Sequence, residues 1–149
     1  YEESLRVPML ARYPGRFGKG TRVEEMVLNI DLAPTLLDLA GVTIPGAMQG
    51  TSWRALAEGR STGNWRQSFL AEYYKELGNV PTTYALRTNS HKLVKYPGHP
   101  EWTEIFDLKA DPYETKNLAS DSALTARLGS ELAELMRKTG YTEPAAGGK

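Results

Sequence analysis

The sequence predicts an α+β protein, on three observations. Four short strand-like segments run between Ser68 and Leu108, and the second and third are separated only by Asn89-Ser90, a connection that suits a tight hairpin. A last segment places Leu124, Leu128, Leu132, Leu135 and Met136 at helical spacing, with Arg127, Glu131, Glu134 and Arg137 mostly off that line. Near the start, Asp31-Leu-Ala-Pro34 announces another helix, with Asp31 as cap and Pro34 in the first turn, where a missing N–H loses no intrahelical bond.

In order, Leu5 to Tyr13 reads as a short buried strand ending at Pro14-Gly15, followed by the polar loop Arg16 to Arg22. Val23 to Ile30 reads as a second strand. The helix after Asp31 carries Leu32, Leu36, Leu39 and Ala40 at helical spacing and stops at Gly41, placed for a left-handed conformation. Residues 42–63 are loop-like around Pro45, Gly46 and Gly50, with a short helix from Ser52 to Glu58. The strands then follow as Ser68 to Tyr74, Thr82 to Thr88, His91 to Tyr96 and Thr103 to Leu108, which predicts an antiparallel meander. Lys109 to Glu114 is a turn by composition, Ser120 or Asp121 caps the terminal helix to about Lys138, and Gly140 ends it. The apolar face of that helix must cover the sheet. The Pro-, Ala- and Gly-containing tail from Glu143 to Lys149 is expected to be disordered.

Composition narrows the partners. Basic and acidic side chains balance at 18 each without a long run of either sign, so nothing marks a nucleic-acid footprint or an anionic membrane surface. The longest apolar runs fall far short of the ~20 residues of a membrane helix. There is no cysteine, so these 149 residues hold no disulfide, thiolate zinc site or cysteine nucleophile. The sequence opens on Tyr1 without a signal-like segment, and is read as a fragment.

Four segments, in order, carry a resemblance: Tyr1-Glu-Glu-Ser-Leu-Arg-Val-Pro8; Asn29-Ile-Asp-Leu-Ala-Pro-Thr-Leu-Leu-Asp-Leu-Ala-Gly41; Ala85-Leu-Arg-Thr88 with Lys92-Leu93; and Glu104-Ile-Phe-Asp-Leu-Lys-Ala-Asp-Pro-Tyr-Glu-Thr-Lys-Asn-Leu118. Each alone is strand, cap and turn chemistry. Together, at these separations, they resemble the C-terminal third of sulfatases of the alkaline-phosphatase superfamily. The resemblance implies that residues 1–60 are the C-terminal part of the sulfatase α/β domain, contributing edge pieces of its sheet. Residues 61–149 would then be the C-terminal subdomain, a four-stranded antiparallel sheet packed against a helix. It further implies a full-length enzyme that hydrolyses sulfate monoesters with a formylglycine, made from Cys or Ser in a C/S-x-P-x-R motif, and a divalent cation, usually calcium. Neither that motif nor the carboxylate-rich metal segments occur here, so no cofactor is assigned to this chain, which is expected to be inactive alone. Such enzymes are often periplasmic, secreted or lysosomal; the sequence leaves the compartment open.

No catalytic residue and no metal ligand is assigned; the candidates are substrate-binding residues. His99, in the rigid loop Tyr96-Pro-Gly-His-Pro100, could face a substrate, and in several sulfatases a histidine near this place reaches the sulfate or sugar; a surface or capping histidine is the alternative. Arg6 could help to surround an anionic ester, or pair with Glu2 or Glu3. Glu72, Tyr73 and Tyr74, with Trp102 beyond His99, could form a sugar-stacking rim, against ordinary strand-end packing. Asp31 and Asp38 are better read as a cap and a helix residue than as metal ligands. Asp107, Asp111 and Glu114 lack the glycine and ligand spacing of an EF-hand, and are read as a turn with solvated carboxylates. Arg16, Lys19 and Arg22 are expected to face water.

The expected partners are the upstream catalytic half of the same protein and, for the whole enzyme, a sulfated sugar or other small molecule. Unmet apolar faces over Leu5 to Tyr13 and Leu32 to Ala40 predict self-association of the isolated chain. Two rival functions remain: a phosphonate or phosphate ester hydrolase, or phosphoethanolamine transferase, of the same superfamily, and a non-catalytic carbohydrate-binding or assembly module.

Overall fold

The structure, a computed structural model, describes residues 1–74 and 80–143. The chain divides into two units. One joins Tyr1–Val7 to Gln67–Lys149, and the other is Pro8–Arg66.

In the first unit, β1 (Ser68–Tyr73), β2 (Thr83–Thr88), β3 (His91–Lys95) and β4 (Glu104–Asp107) form an antiparallel sheet in sequential order. The β2–β3 hairpin is tied by Thr88, whose hydroxyl accepts from the backbone N–H groups of Ser90 and His91 and donates to the His91 carbonyl. One row of apolar side chains crosses all four strands, since Leu70 pairs with Leu86, Leu86 with Leu93 and Leu93 with Ile105. The last three are fully buried. Over this row lies α4 (Ser122–Thr139), which contributes Leu128 and Leu132 to the same core, flanked by Leu124, Leu135 and Met136. The predicted helix face is the one that packs. Asp121 caps α4 by accepting from the Leu124 N–H at 2.9 Å, and Gly140 ends it at φ 69°. Glu143 accepts from the Tyr84 hydroxyl at 3.1 Å; the rest of the predicted disordered tail lies outside the described residues.

The second unit has no strand among its described residues. Both N-terminal strand expectations are therefore corrected: residues 6–13 carry no regular structure and are exposed throughout, and residues 23–28 carry no regular structure either. Their apolar content resembles a strand, but a strand exists only by pairing, and no neighbouring strand is present in this unit. Of the segment read as the first strand, Leu5 instead ends a short helix, α1 (Glu2–Leu5).

The hub of the second unit is Asp31, fully buried. Its carboxylate does not cap α2 (Leu32–Leu39) as expected. It accepts instead from Leu28 N–H at 2.8 Å, closing the 3-10 turn Asn29–Asp31, and from Thr51 N–H at 2.7 Å. Arg66 grips it with a two-pronged contact, Nη2 at 2.7 Å from Oδ1 and Nη1 on Oδ2. Thr35 continues the network, donating to the Asp31 carbonyl and accepting from Trp53 N–H. Gly50 is required here, because a Cβ would collide with the Ile30 carbonyl. At the other end of α2, Val42 N–H bonds the Leu37 carbonyl at 2.9 Å and Gly41 takes φ 72°, closing the helix as predicted. Asp38 accepts from the Ser52 hydroxyl and from Arg54 of α3 (Arg54–Ala57). The small core is Trp53, Leu56 and Ala57 against Phe17, Val23, Val27 and Trp65. By contrast, Leu32 is 42% and Leu36 66% exposed, so the apolar stripe of α2 faces outward.

Two outcomes test this account. Leu93→Ala opens a cavity at the centre of the buried row and lowers stability by about 2–5 kcal/mol in denaturant titration. Burial pushes the Asp31 carboxyl up, but Arg66 and the Thr51 and Leu28 N–H groups outweigh it and hold it below the ordinary aspartate range. Its stabilisation is therefore full above that range and lost as the pH falls through the lowered value. Arg66→Met leaves a buried carboxylate without its cation, costs about 3–5 kcal/mol in the same titration and weakens the acid-dependent loss.

Candidate substrate wall

The loop between β3 and β4 is built by its own sequence. Gly98 takes φ 78°, His99 N–H returns to the Tyr96 carbonyl at 2.9 Å, and Pro100–Trp102 forms one 3-10 turn. In such a turn residues i and i+3 eclipse, and His99 lies stacked on Trp102, ring centroids 3.8 Å apart and planes within 5°. Tyr96 meets the indole edge-on at 5.7 Å and donates its hydroxyl to Glu104 at 2.7 Å. Burial first, and then the Glu104 carboxylate, push the Tyr96 phenol far above its ordinary value. Thr103 locks the loop further, donating to the Pro100 carbonyl and accepting from Lys95.

Glu101 lies 3.2 Å from His99 Nδ1, and its own backbone N–H together with the histidine holds its carboxyl below the ordinary glutamate range. A carboxylate against Nδ1 favours a proton there, which leaves Nε2 as an acceptor while the ring is neutral. Trp102 remains 46% exposed, so the pair offers an aromatic surface beside a polar edge.

The other candidates do not join this pair. Glu72 and Tyr73 are consecutive on β1 and so point to opposite faces of the sheet; Glu72 accepts from the Tyr74 hydroxyl at 2.9 Å. Tyr73, 40% exposed, lies on the edge strand opposite β4, roughly 14 Å from it by three strand spacings. Arg6 is exposed just after α1, and Arg87 and Lys92, not Arg6, pair with Glu2.

A charge cluster that sequence reasoning misses lies on the sheet face away from α4. Lys92, 2% exposed, contacts Glu114, and its ammonium lies 3.7 Å from Glu2. Arg87 forks onto Glu2 through Nε at 3.0 Å and Nη2 at 2.8 Å, and Glu114 accepts from the Glu2 backbone N–H at 2.6 Å. Tyr1 and Phe106 flank the ammonium, each ring centroid 5.9 Å away. Glu114 is thus not the solvated turn carboxylate expected, although Asp107 and Asp111 do build that turn by accepting backbone N–H groups. Glu114 has φ 55°, unusual for a residue with a side chain, and the buried pairing holds it there. Among the described residues no three His, Asp or Glu side chains converge as a metal ligand set would.

Residues 1–140 match the family model described as "N-sulphoglucosamine sulphohydrolase, C-terminal". The chain belongs to this sulfatase C-terminal family. It is 34% identical over 143 residues to an N-acetylglucosamine-6-O-sulfatase of Bacteroides thetaiotaomicron, covering 93% of this chain and 25% of that protein. It superposes with TM-score 0.80 and 30% identity, over 92% of this chain and 29% of the other, on a structure in complex with its substrate D-glucosamine-2-N,6-O-disulfate. A phosphonate monoester hydrolase from Silicibacter pomeroyi matches with TM-score 0.68 and 27% identity, over 89% of this chain and 28% of its own. The chain spans about a quarter of the length of the curated sulfatase, and corresponds to the C-terminal portion of such an enzyme. The family implies a metal and a formylglycine in the whole enzyme; this portion has neither a cysteine nor a C/S-x-P-x-R motif.

The stack is a local, exposed contact, so His99→Ala and Trp102→Ala should each cost under about 1.5 kcal/mol in thermal melts. A larger loss in either variant would make the loop a structural support instead of a ligand surface.

Proposed function

We propose that this sulfatase portion forms one wall of a pocket for a sulfated hexosamine, with the His99–Trp102 pair as its contact surface. The observation that carries the reading is the 34% identity, over nearly the whole chain, to a sulfatase named for 6-sulfated N-acetylglucosamine. The structural relative with a disulfated glucosamine supports the same class of sugar. In this role the indole stacks on the apolar face of the sugar ring, and His99 Nε2 accepts a hydroxyl hydrogen bond. Both are binding and orienting roles. Hydrolysis needs a nucleophile and a counter-charge for the sulfate oxygens; the formylglycine and the calcium ion are assigned to the rest of the protein. Arg6, Glu72 and Tyr73 stay candidate contacts at other edges of that pocket. The compartment is proposed to be periplasmic, secreted or lysosomal, by the resemblance alone.

A groove in the second unit supports a further part of the reading. Met9, Leu10, Tyr13, Leu32, Leu36 and Trp53 line about 530 Å³ of open space, and Leu10 is 98% exposed. We assign this groove to the upstream catalytic half of the same protein. In the isolated chain it promotes self-association, so sedimentation at rising concentration should show a mass that grows; a strictly monomeric species with no apolar dye binding would count against it.

A second reading, a phosphonate ester hydrolase, is favoured by the Silicibacter neighbour. The whole protein decides between them. Expected are turnover of 6-sulfated N-acetylglucosamine and, for His99→Ala and Trp102→Ala, a KM raised roughly tenfold for a lost stacking or hydrogen-bond contact of about 1.4 kcal/mol. Turnover of a phosphonate monoester in preference to the sulfate sinks the first reading. Saturable binding of sulfated oligosaccharide to the isolated chain, with no hydrolysis by the whole protein, would favour a carbohydrate-binding module.

A further inference from the structure

The β3–β4 loop and its flanks set two carboxylates, Glu101 and Glu104, against one cation, Lys95. Lys95 donates to Thr103 at 3.0 Å, and Glu104 is occupied by the Tyr96 hydroxyl at 2.7 Å. Glu101 is different: it is exposed, and its contact is with the ring of His99, the polar half of the aromatic pair.

That contact acts on a ligand in two ways. A carboxylate 3.2 Å from Nδ1 favours the proton on that nitrogen, so the neutral ring turns a lone pair outward at Nε2. Such an acceptor requires a donor, a free O–H or N–H; a sulfated position has lost that hydrogen and brings only further acceptor oxygens. The second effect is the charge itself. Across the Glu101 contact, the imidazole ring and one hydrogen bond, a sugar hydroxyl on Nε2 lies within roughly 7 Å of the carboxylate. That is inside the ~8 Å screening length of physiological salt, so a sulfate at this position meets a like charge that the solvent does not hide.

We propose that Glu101 is a specificity-determining residue: it makes the His99–Trp102 wall read a free hydroxyl or amide N–H of the hexosamine and turn away a second sulfate at that position. The proposal rests on the reading above that this wall contacts a sulfated hexosamine, and it deepens that reading into an order of reactions. A sugar that also carries sulfate where it faces the loop must first lose it in a separate hydrolysis, in which water cleaves the S–O or S–N bond and releases inorganic sulfate.

The test uses the whole enzyme at about pH 8, above the ordinary histidine range. The substrates are N-acetylglucosamine 6-sulfate and two glucosamines with a second sulfate, the 2-N,6-O- and the 3-O,6-O-disulfate. Glu101→Gln keeps an acceptor for Nδ1–H and removes the charge from an exposed side chain. For the parent, kcat/KM should favour the monosulfate over at least one disulfate by about tenfold, and added salt should shrink that preference. In Glu101→Gln the preference should fall about fivefold, with kcat/KM for the monosulfate within about twofold of the parent. An unchanged preference in the variant overturns the proposal and leaves the functional reading standing, as does a parent that turns over both disulfates as well as the monosulfate. If the parent hydrolyses none of the three sugars, the functional reading itself fails and takes the proposal with it.

Discussion

Much of the sheet-and-helix unit depends on one buried ammonium. Lys92 lies in the middle of the sheet on the face that α4 does not cover, and an unpaired cation there would cost several kcal/mol. Its contacts therefore organise everything on that side. Glu114 must reach it, which holds a residue with a side chain in a left-handed conformation at the end of the β4 turn. Glu2 must approach as well, which brings α1 across the sheet and places Tyr1 against Phe106. Burial pushes the Glu2 carboxyl up, while Arg87, then Lys92 and Arg6, outweigh that and hold it below the ordinary glutamate range, so Glu2 stays charged at neutral pH.

The second unit repeats the same physics in smaller form. Asp31 is a fully buried carboxylate whose oxygens are met by two backbone N–H groups and the Arg66 guanidinium. Because those partners come from residues 28, 51 and 66, one side chain gathers three stretches of a segment that has little regular structure and a core of a few aromatic and aliphatic groups. A loop-rich unit of this kind is held by directional contacts more than by area. That also explains why α2 can leave Leu32 and Leu36 facing outward and still keep its place: its buried residues are Pro34 and Thr35, and Thr35 belongs to the Asp31 network.

How much was legible follows from how local each signal is. The four strands, the Asn89-Ser90 hairpin and α4 with its Asp121 cap and Gly140 stop were readable because alternation, helical spacing and cap chemistry are written within a few residues. The N-terminal strands were misread because pairing is not a local property: residues 6–13 have the composition and lack the neighbour. Lys92 alternates with Leu93, and nothing local marks it as buried; its cover comes from Tyr1 and Glu2, some ninety positions away, and from Phe106. Glu114 was hidden for the same reason, in a turn whose composition reads as solvated. The His99–Trp102 stack has a usable signal, the i, i+3 spacing in a Pro-containing tight turn, and the predicted meander order, followed to its end, already puts Tyr73 on the edge strand opposite β4.

The Glu2 to Glu114 hydrogen bond joins residues 112 positions apart, with the whole Pro8–Arg66 unit lying between the two parts of the first. A ribosome delivers these partners in a fixed order. At roughly 5–20 residues per second, Glu2 waits on the order of ten seconds for its last partner to emerge. During that interval α1 has nothing to hold it, and the intervening unit, with its own internal network, can close first. Completion of the sheet-and-helix unit is thus a late event in biosynthesis, and a nascent chain stalled before Glu114 would carry an unsealed sheet face for chaperones to guard.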